Sequence, residues 1–84
     1  MNLQDIAEAT AAHYGTTVEA MCGYSRLPED VRPRQVYCFL ADKWTDESKS
    51  QIGRIIRRDH TTVTSSLARV AHYDISAEVA AIEC

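Results

Sequence analysis

Three consecutive side chains, His60, Thr61 and Thr62, place hydrogen-bond donors, acceptors and methyl groups within one short stretch. Asp59 directly precedes them and is a good helix N-cap, because its carboxylate can accept from the free N–H groups of a first helical turn. The three residues would then stand in that first turn. A helix-turn-helix protein places there the side chains that touch base edges in the major groove. We therefore predict a recognition helix.

Two helices and a tight charged turn must position these side chains, and we predict this helix-turn-helix over about residues 48–73. Ser48 and Gln51 fit a capping box at the start of its first helix. The recognition helix runs from Asp59 to about Tyr73, and its buried side repeats at i, i+4 and i+7. The residues of that repeat are Val63, Leu67 and Val70. Arg57 and Arg58 lie in the turn, at positions from which they could reach phosphates.

The rest of the chain predicts further helices and no strand. We expect one domain over residues 1–84, an all-α bundle of about five to six helices. The segment Tyr24–Val31 is predicted as a loop, since Pro28 and two acids interrupt any helical pattern. The other predicted helices are Asn2–Tyr14, Val18–Cys22, a core helix from Arg32-Pro33 to Trp44, and a short accessory helix within residues 75–83.

The net charge of −3 conceals an uneven distribution along the chain. All nine Lys and Arg residues lie between Arg26 and Arg69, with six acids, so this part carries 9 − 6 = +3. The remainder contributes six acids and no base, or −6. Local field rather than total charge steers a polyanion to a surface, so the middle of the chain is the part suited to DNA.

Several function classes are disfavoured. Cys22, Cys38 and Cys84 form no C-x-x-C pair, which argues against a disulfide framework and a zinc site. The Cys and His spacing supports no catalytic triad, so we expect no enzyme, no metal and no cofactor. No apolar run approaches membrane-spanning length and no signal peptide is visible, so we expect a cytoplasmic protein without membrane contact.

Two motifs in order resemble a known family. Arg32-Pro33-Arg34-Gln35, followed by Ile52-Gly53 and the hexapeptide R-D-H-T-T-V from Arg58 to Val63, resembles the C-terminal DNA-binding domain of the bacterial replication initiator DnaA. The likeness covers roughly Leu3 to Tyr73. It implies a helical bundle that binds a short, asymmetric duplex site, in a bacterial, nucleoid-associated protein.

The resemblance also implies roles for individual residues. Asp59, His60 and Thr61 would read bases in the major groove, where a carboxylate can accept from cytosine N4–H and a Thr methyl can pack on thymine. Thr62 would hold a phosphate or a neighbouring base. From its sequence context Arg26 is either a solvated loop residue or an arm for a narrow minor groove, and the resemblance favours the minor groove. The candidate backbone contacts are Arg32, Arg34, Gln35, Lys43, Lys49, Ser50, Arg57 and Arg58.

Departures from the family pattern suggest weaker phosphate anchoring. Arg57 stands where the pattern has glycine, in a turn one residue shorter than usual. Asp42 replaces a lysine that faces phosphate, with Lys43 beside it as a candidate substitute. Lys49-Ser50 replaces an apolar-proline pair. The DNA site could therefore differ from the family's own box.

The chain has no G-x-x-x-x-G-K-[ST] loop and no room for an ATPase, so we expect either an excised domain or a free-standing relative, and favour the second. The leading hypothesis is a small transcription regulator, of the kind a phage or mobile element encodes. A replication-origin role, or competition for initiator boxes, is the alternative. A third is a protein-interaction module that has lost DNA affinity.

Double-stranded DNA is the expected partner, with the transcription machinery or other regulatory proteins as further candidates. The chain is expected to be a monomer or a weak homodimer. Ile75, Val79 and Ile82 would either form the dimer seam or pack on the domain itself.

Overall fold

Six α-helices make up the part of the chain that the computed structural model describes, residues 2–23, 28–72 and 74–83. No strand occurs in these residues, and the predicted all-α bundle is confirmed. The helices are α1 (Leu3–His13), α2 (Val18–Cys22), α3 (Pro28–Trp44), α4 (Lys49–Ile55), α5 (His60–Val70) and α6 (Ser76–Glu83).

Side-chain caps set the starts of the shorter helices. The Asn2 side chain accepts from the N–H of Asp5 at 2.8 Å before α1, and Thr17 caps α2 in the same way. Ser48 and Gln51 form the predicted capping box before α4. Each cap satisfies an N–H group that has no partner within its helix, which is why these polar residues mark the boundaries.

The start of α3 corrects the sequence analysis. The helix begins at Pro28, so the loop predicted through Val31 is wrong for residues 28–31, and Pro33 lies inside the helix rather than at its start. A proline at the first helical position gives up an N–H that would have no partner there, so Pro28 starts the helix rather than preventing it. Pro33 costs one helical hydrogen bond, but its ring is fully buried, which offsets that loss by packing.

The long helix α3 forms the centre of the core and packs on α5, α1, α2 and α4. The hydroxyl of Tyr37 is fully buried and donates to the carbonyl of Ile52 at 2.8 Å, which joins α3 to α4. Burial raises the pKa of the Tyr37 phenol well above its usual value, so the group stays a donor. On α5, Val63 and Val70 point into this core as predicted.

The apolar side of α6 packs on the domain itself. Ile75 and Ile82 each expose 6% of their surface, and Val79 packs against the core. They therefore take the second of the two roles considered from the sequence, packing on the domain itself. Within the residues that the structure describes, no helix is both long and apolar enough to cross a membrane.

Candidate nucleic-acid interface

The turn between α4 and α5 closes on the carbonyl of Gly53. That oxygen accepts from the N–H of Ile56 at 3.1 Å and from the N–H of Arg58 at 2.8 Å. Between them, Arg57 adopts a left-handed backbone with φ +56° and exposes its side chain. The left-handed conformation is sterically costly for a residue with a Cβ. A glycine at this position would adopt the same backbone without that cost.

The first turn of α5 is capped and exposed as the sequence predicted. The carboxylate of Asp59 accepts from the N–H of Thr62 at 2.9 Å. This hydrogen bond holds the pKa of the Asp59 carboxyl below its usual value. His60 and Thr61 are exposed, Thr62 is half-buried and Val63 is buried behind them. The turn thus presents two polar side chains outward, although one Asp59 oxygen is already used by the cap.

A cleft of about 250 Å³ lies beside this turn, between α3 and α5. Among the residues that the structure describes, its lining contains three arginines, four hydroxyl side chains and a glutamine, with two apolar residues and no carboxylate. Such a set of donors suits a phosphate oxygen. The lining residues are Val31, Arg34, Gln35, Ile56, Arg58, Thr61, Thr62, Ser65, Ser66 and Arg69.

Sequence reasoning missed Ser65 and Arg69 as site residues. Both are exposed on α5, and both line this cleft with Thr61. A signal for them exists, since residues 61, 65 and 69 repeat at i, i+4 and i+8 on one helix face. The predicted contact face therefore extends along α5 for two turns beyond the first.

Arg34 and Arg58 were predicted as backbone contacts, and in the structure both donate to main-chain carbonyls. One Arg34 nitrogen donates to Gly23 at 2.7 Å. The Arg58 guanidinium donates to Cys22 at 3.1 Å, to Ile56 at 3.2 Å and also to Gly23. Both side chains are half-buried. Their phosphate role stays a prediction, beside an observed role in holding the end of α2 against the turn.

Arg32 lies on a different side of α3 from Arg34, because two residues are about 200° apart around a helix. Its guanidinium pairs with the carboxylate of Glu78 on α6 at 3.6 Å. The structure thus does not bring Arg32 together with the residues of the cleft. Gln35 does line the cleft, but it is largely buried, exposing 7% of its surface.

Near the start of α4, the opposite charges of Lys49 and Asp42 partly cancel. The ammonium group of Lys49 lies 3.9 Å from a carboxylate oxygen of Asp42, and each side chain is a little under half exposed. Ser50 is exposed beside Lys49. Lys43 is exposed, and its ammonium group lies 5.7 Å from the ring centroid of Phe39. Arg26, the predicted minor-groove residue, lies outside the described residues.

A short helix, a tight turn and a second helix with an exposed, capped first turn define a helix-turn-helix domain of the DNA-binding class. The comparisons with known proteins agree. The chain belongs to the family of the bacterial DnaA protein helix-turn-helix, whose model matches residues 3–70.

The similar curated proteins include several chromosomal replication initiator proteins. That of Deinococcus radiodurans is 37% identical over 70 residues, covering 83% of this chain and 15% of its own length. That of Sphingopyxis alaskensis is 38% identical over 88 residues, covering 98% of this chain and 19% of its own length. Chlamydia trachomatis DnaA 1 is 41% identical over 66 residues, which is 79% of this chain and 14% of that protein. The chain thus spans less than a fifth of these relatives, and no solved structure matches it.

Proposed function

We propose that this protein binds a specific double-stranded DNA site by inserting the first turn of α5 into the major groove. The observation that carries the proposal is the pair His60 and Thr61, exposed side by side on a capped helical turn with Val63 buried behind them. An imidazole offers a donor and an acceptor, and a threonine offers a hydroxyl and a methyl. These are the groups that distinguish base pairs in the major groove.

Phosphate contacts would fix the position of α5 in the groove. The cleft between α3 and α5 supplies the donors, with the exposed side chains of Ser65 and Arg69 along its α5 wall. The exposed side chain of Arg57 in the turn would add a further donor. The pairing of Lys49 with Asp42 reduces the positive field at the start of α4, so phosphate anchoring there would be weak.

Arg26 is the proposed minor-groove residue. It is three positions after Gly23, whose carbonyl accepts from both Arg34 and Arg58. An arginine in a narrow minor groove reads groove width and adds binding free energy without base-specific donors.

A transcription-regulatory role is one candidate use of this binding, since a helix-turn-helix domain bound at a specific site can act by occupying it. Binding at a replication origin is the second candidate. It is favoured by the relatives, which are named chromosomal replication initiator proteins. The two candidates share one interface and differ in the DNA sequence that is read.

Selection of sites from a random duplex library would test the proposal. Wild-type protein, His60→Ala and the control His13→Ala would be compared at near-physiological salt. His13 is an exposed histidine in the last turn of α1. We expect one enriched motif for wild type and His13→Ala, and loss of that motif for His60→Ala.

The recovered motif would also separate the candidate roles. A motif that matches the initiator's box would favour replication or competition for boxes, and an unrelated motif would favour a separate regulator. If no protein enriched any motif, sequence-specific binding would be excluded, and a protein partner would become the leading explanation.

A further inference from the structure

We propose that Tyr37 is a positioning residue for DNA recognition: its hydroxyl fixes the peptide group between Ile52 and Gly53, and this sets the direction in which α5 leaves the turn. The inference rests on the proposed DNA-binding function. It assigns a role in specificity to a fully buried side chain, which cannot itself contact DNA.

The hydrogen bond of Tyr37 lies where the winding of α4 changes. In a continuing α-helix, the N–H of Ile56 would donate to the carbonyl of Ile52. In this turn it donates to the carbonyl of Gly53 at 3.1 Å, and the next N–H along the chain makes the same one-residue shift. The carbonyl of Ile52 accepts from the Tyr37 hydroxyl at 2.8 Å. A side chain of α3 therefore serves the carbonyl at which the helix tightens.

The peptide group between Ile52 and Gly53 controls how α5 starts. Glycine has no Cβ and restricts the rotation of adjacent peptide groups least. The carbonyl of Gly53 accepts from the N–H of Arg58 at 2.8 Å, and Arg58 immediately precedes the cap residue Asp59. A rotation at Gly53 would therefore shift the start of α5. The Tyr37 hydroxyl opposes such a rotation from the core.

The backbone of Arg57 gives a second reason why the turn must be held from outside. Its left-handed conformation is unfavourable for a residue with a Cβ, and such a conformation persists where the surrounding contacts fix the chain. Tyr37 supplies one such contact from α3. The thiol of Cys22 supplies another from α2, by donating to the carbonyl of Ile55 at 3.2 Å. Side-chain donors from two helices thus hold the end of α4.

Specificity separates a positioning role from a purely structural one. A variant that is merely less stable has a smaller folded fraction, which lowers its affinity for every duplex by the same factor. A variant whose α5 is misaligned loses base contacts but keeps phosphate contacts, which carry no sequence information. The ratio of the affinities for the selected duplex and for a scrambled duplex therefore reports positioning.

The experiment compares wild type, Tyr37→Phe and Thr10→Val on these two duplexes. Tyr37→Phe removes the hydroxyl and keeps the ring that fills the core. Thr10→Val is the matched control, because the Thr10 hydroxyl is also fully buried and donates to a helix carbonyl, that of Ile6, at 2.8 Å. We expect Tyr37→Phe to bind the selected duplex about tenfold more weakly and the scrambled duplex within about twofold of wild type. Thr10→Val should stay within about twofold on both, since the domain remains folded.

Amide hydrogen exchange without DNA provides a second readout that does not depend on the proposed function. The N–H groups of Ile56 and Arg58 both donate to Gly53. In Tyr37→Phe we expect these two amides to exchange about tenfold faster, relative to the amides of α1, because the turn opens locally. Thr10→Val should leave the exchange of Ile56 and Arg58 unchanged.

An equal loss of affinity for both duplexes in Tyr37→Phe would overturn the proposal, as would unchanged exchange of the Ile56 and Arg58 amides. Loss of helical structure in Tyr37→Phe, measured by circular dichroism, would overturn it too, since the hydroxyl would then hold the whole domain rather than orient one helix. If wild type does not distinguish the two duplexes, the proposed function itself fails and the role of Tyr37 in recognition falls with it. If wild type does distinguish them, the comparison of Tyr37→Phe with Thr10→Val decides this inference alone.

Discussion

Gly53 and Arg58 are in direct backbone contact across the turn of the helix-turn-helix. The N–H of Arg58 donates to the carbonyl of Gly53 at 2.8 Å, and a Cβ built on Gly53 would overlap the carbonyl oxygen of Arg58. Gly53 is buried against this turn. The helix itself would tolerate alanine at this position, so it is the turn that excludes a Cβ. The turn before α5 therefore requires the glycine of the Ile52-Gly53 motif.

Gly53→Ala should destabilise the domain by about 1–3 kcal/mol, since the new methyl forces the turn backbone to move. Urea unfolding followed by circular dichroism would measure this. Ser50→Ala, an exposed position in the same helix, is the matched control and should change stability little. Equal stability of Gly53→Ala and wild type would show that the turn yields without cost.

Arg57→Gly should stabilise the domain by up to about 1 kcal/mol, because glycine adopts the left-handed backbone without the steric cost that arginine meets. The gain is limited by the greater freedom of glycine in the unfolded chain. The same variant should bind DNA less tightly, with a shallower salt dependence, if the exposed side chain contacts phosphate. A lower urea midpoint for Arg57→Gly would contradict the strain argument.

Asp42→Asn should raise DNA affinity and steepen its salt dependence. The substitution releases Lys49 from a carboxylate 3.9 Å away and removes a negative charge from the proposed approach of the phosphates. Affinity titrations at several salt concentrations would measure both effects. Asp5→Asn, an exposed acid on α1, controls for the change in net charge. Equal increases in DNA affinity for Asp42→Asn and Asp5→Asn would show that the change in net charge alone causes the effect.

The cap formed by Asp59 should make stability depend on pH in the acid range. Hydrogen bonding to the Thr62 N–H lowers the folded-state pKa of this carboxyl below its unfolded value of about 3.9. Its contribution is therefore fully present above the unfolded pKa and is lost as pH falls through the folded pKa. Urea midpoints of wild type and Asp59→Asn should differ at pH 7 and converge as the pH falls through the folded-state pKa of Asp59. Parallel midpoints across this range would exclude the contribution.

Substitutions on α5 should separate base reading from backbone contact. His60→Ala and Thr61→Ala should each cost about 1–3 kcal/mol on the selected site and relax its specificity. Arg69→Ala, on the wall of the cleft, should weaken binding to all duplexes and flatten the salt dependence. Titrations against the selected duplex and a scrambled one would show this contrast. An equal loss of affinity for both duplexes in all three variants would refute the proposal that the first turn of α5 reads bases.

The sequence was sufficient for the features that depend on near neighbours. Caps such as Ser48 with Gln51 and Asp59 with Thr62 span three residues, so their residue types mark the helix starts directly. The buried repeat of α5 is similarly local. These patterns predicted the all-α fold, the capped first turn of α5 and most helix boundaries.

The sequence could not predict contacts between residues far apart in the chain. Arg58 donates to Gly23, which lies 35 positions away, and no periodicity signals such a pair. Composition likewise showed Arg32 and Arg34 as equivalent cations, whereas the helix turns one towards α6 and the other towards α2. Pro28 was misread because the same residue that breaks a helix interior also favours a helix start.

The short length of α2 has a consequence for how this domain opens. A helix of five residues is not stable in isolation, so α2 depends on the contacts of Cys22 and Gly23 with the α4–α5 turn and α3. We therefore expect α2 and this turn to exchange their amide hydrogens in one cooperative opening, rather than α2 fraying alone. DNA binding that orders the turn would then slow amide hydrogen exchange in α2, although the side chains of α2 need not contact the duplex.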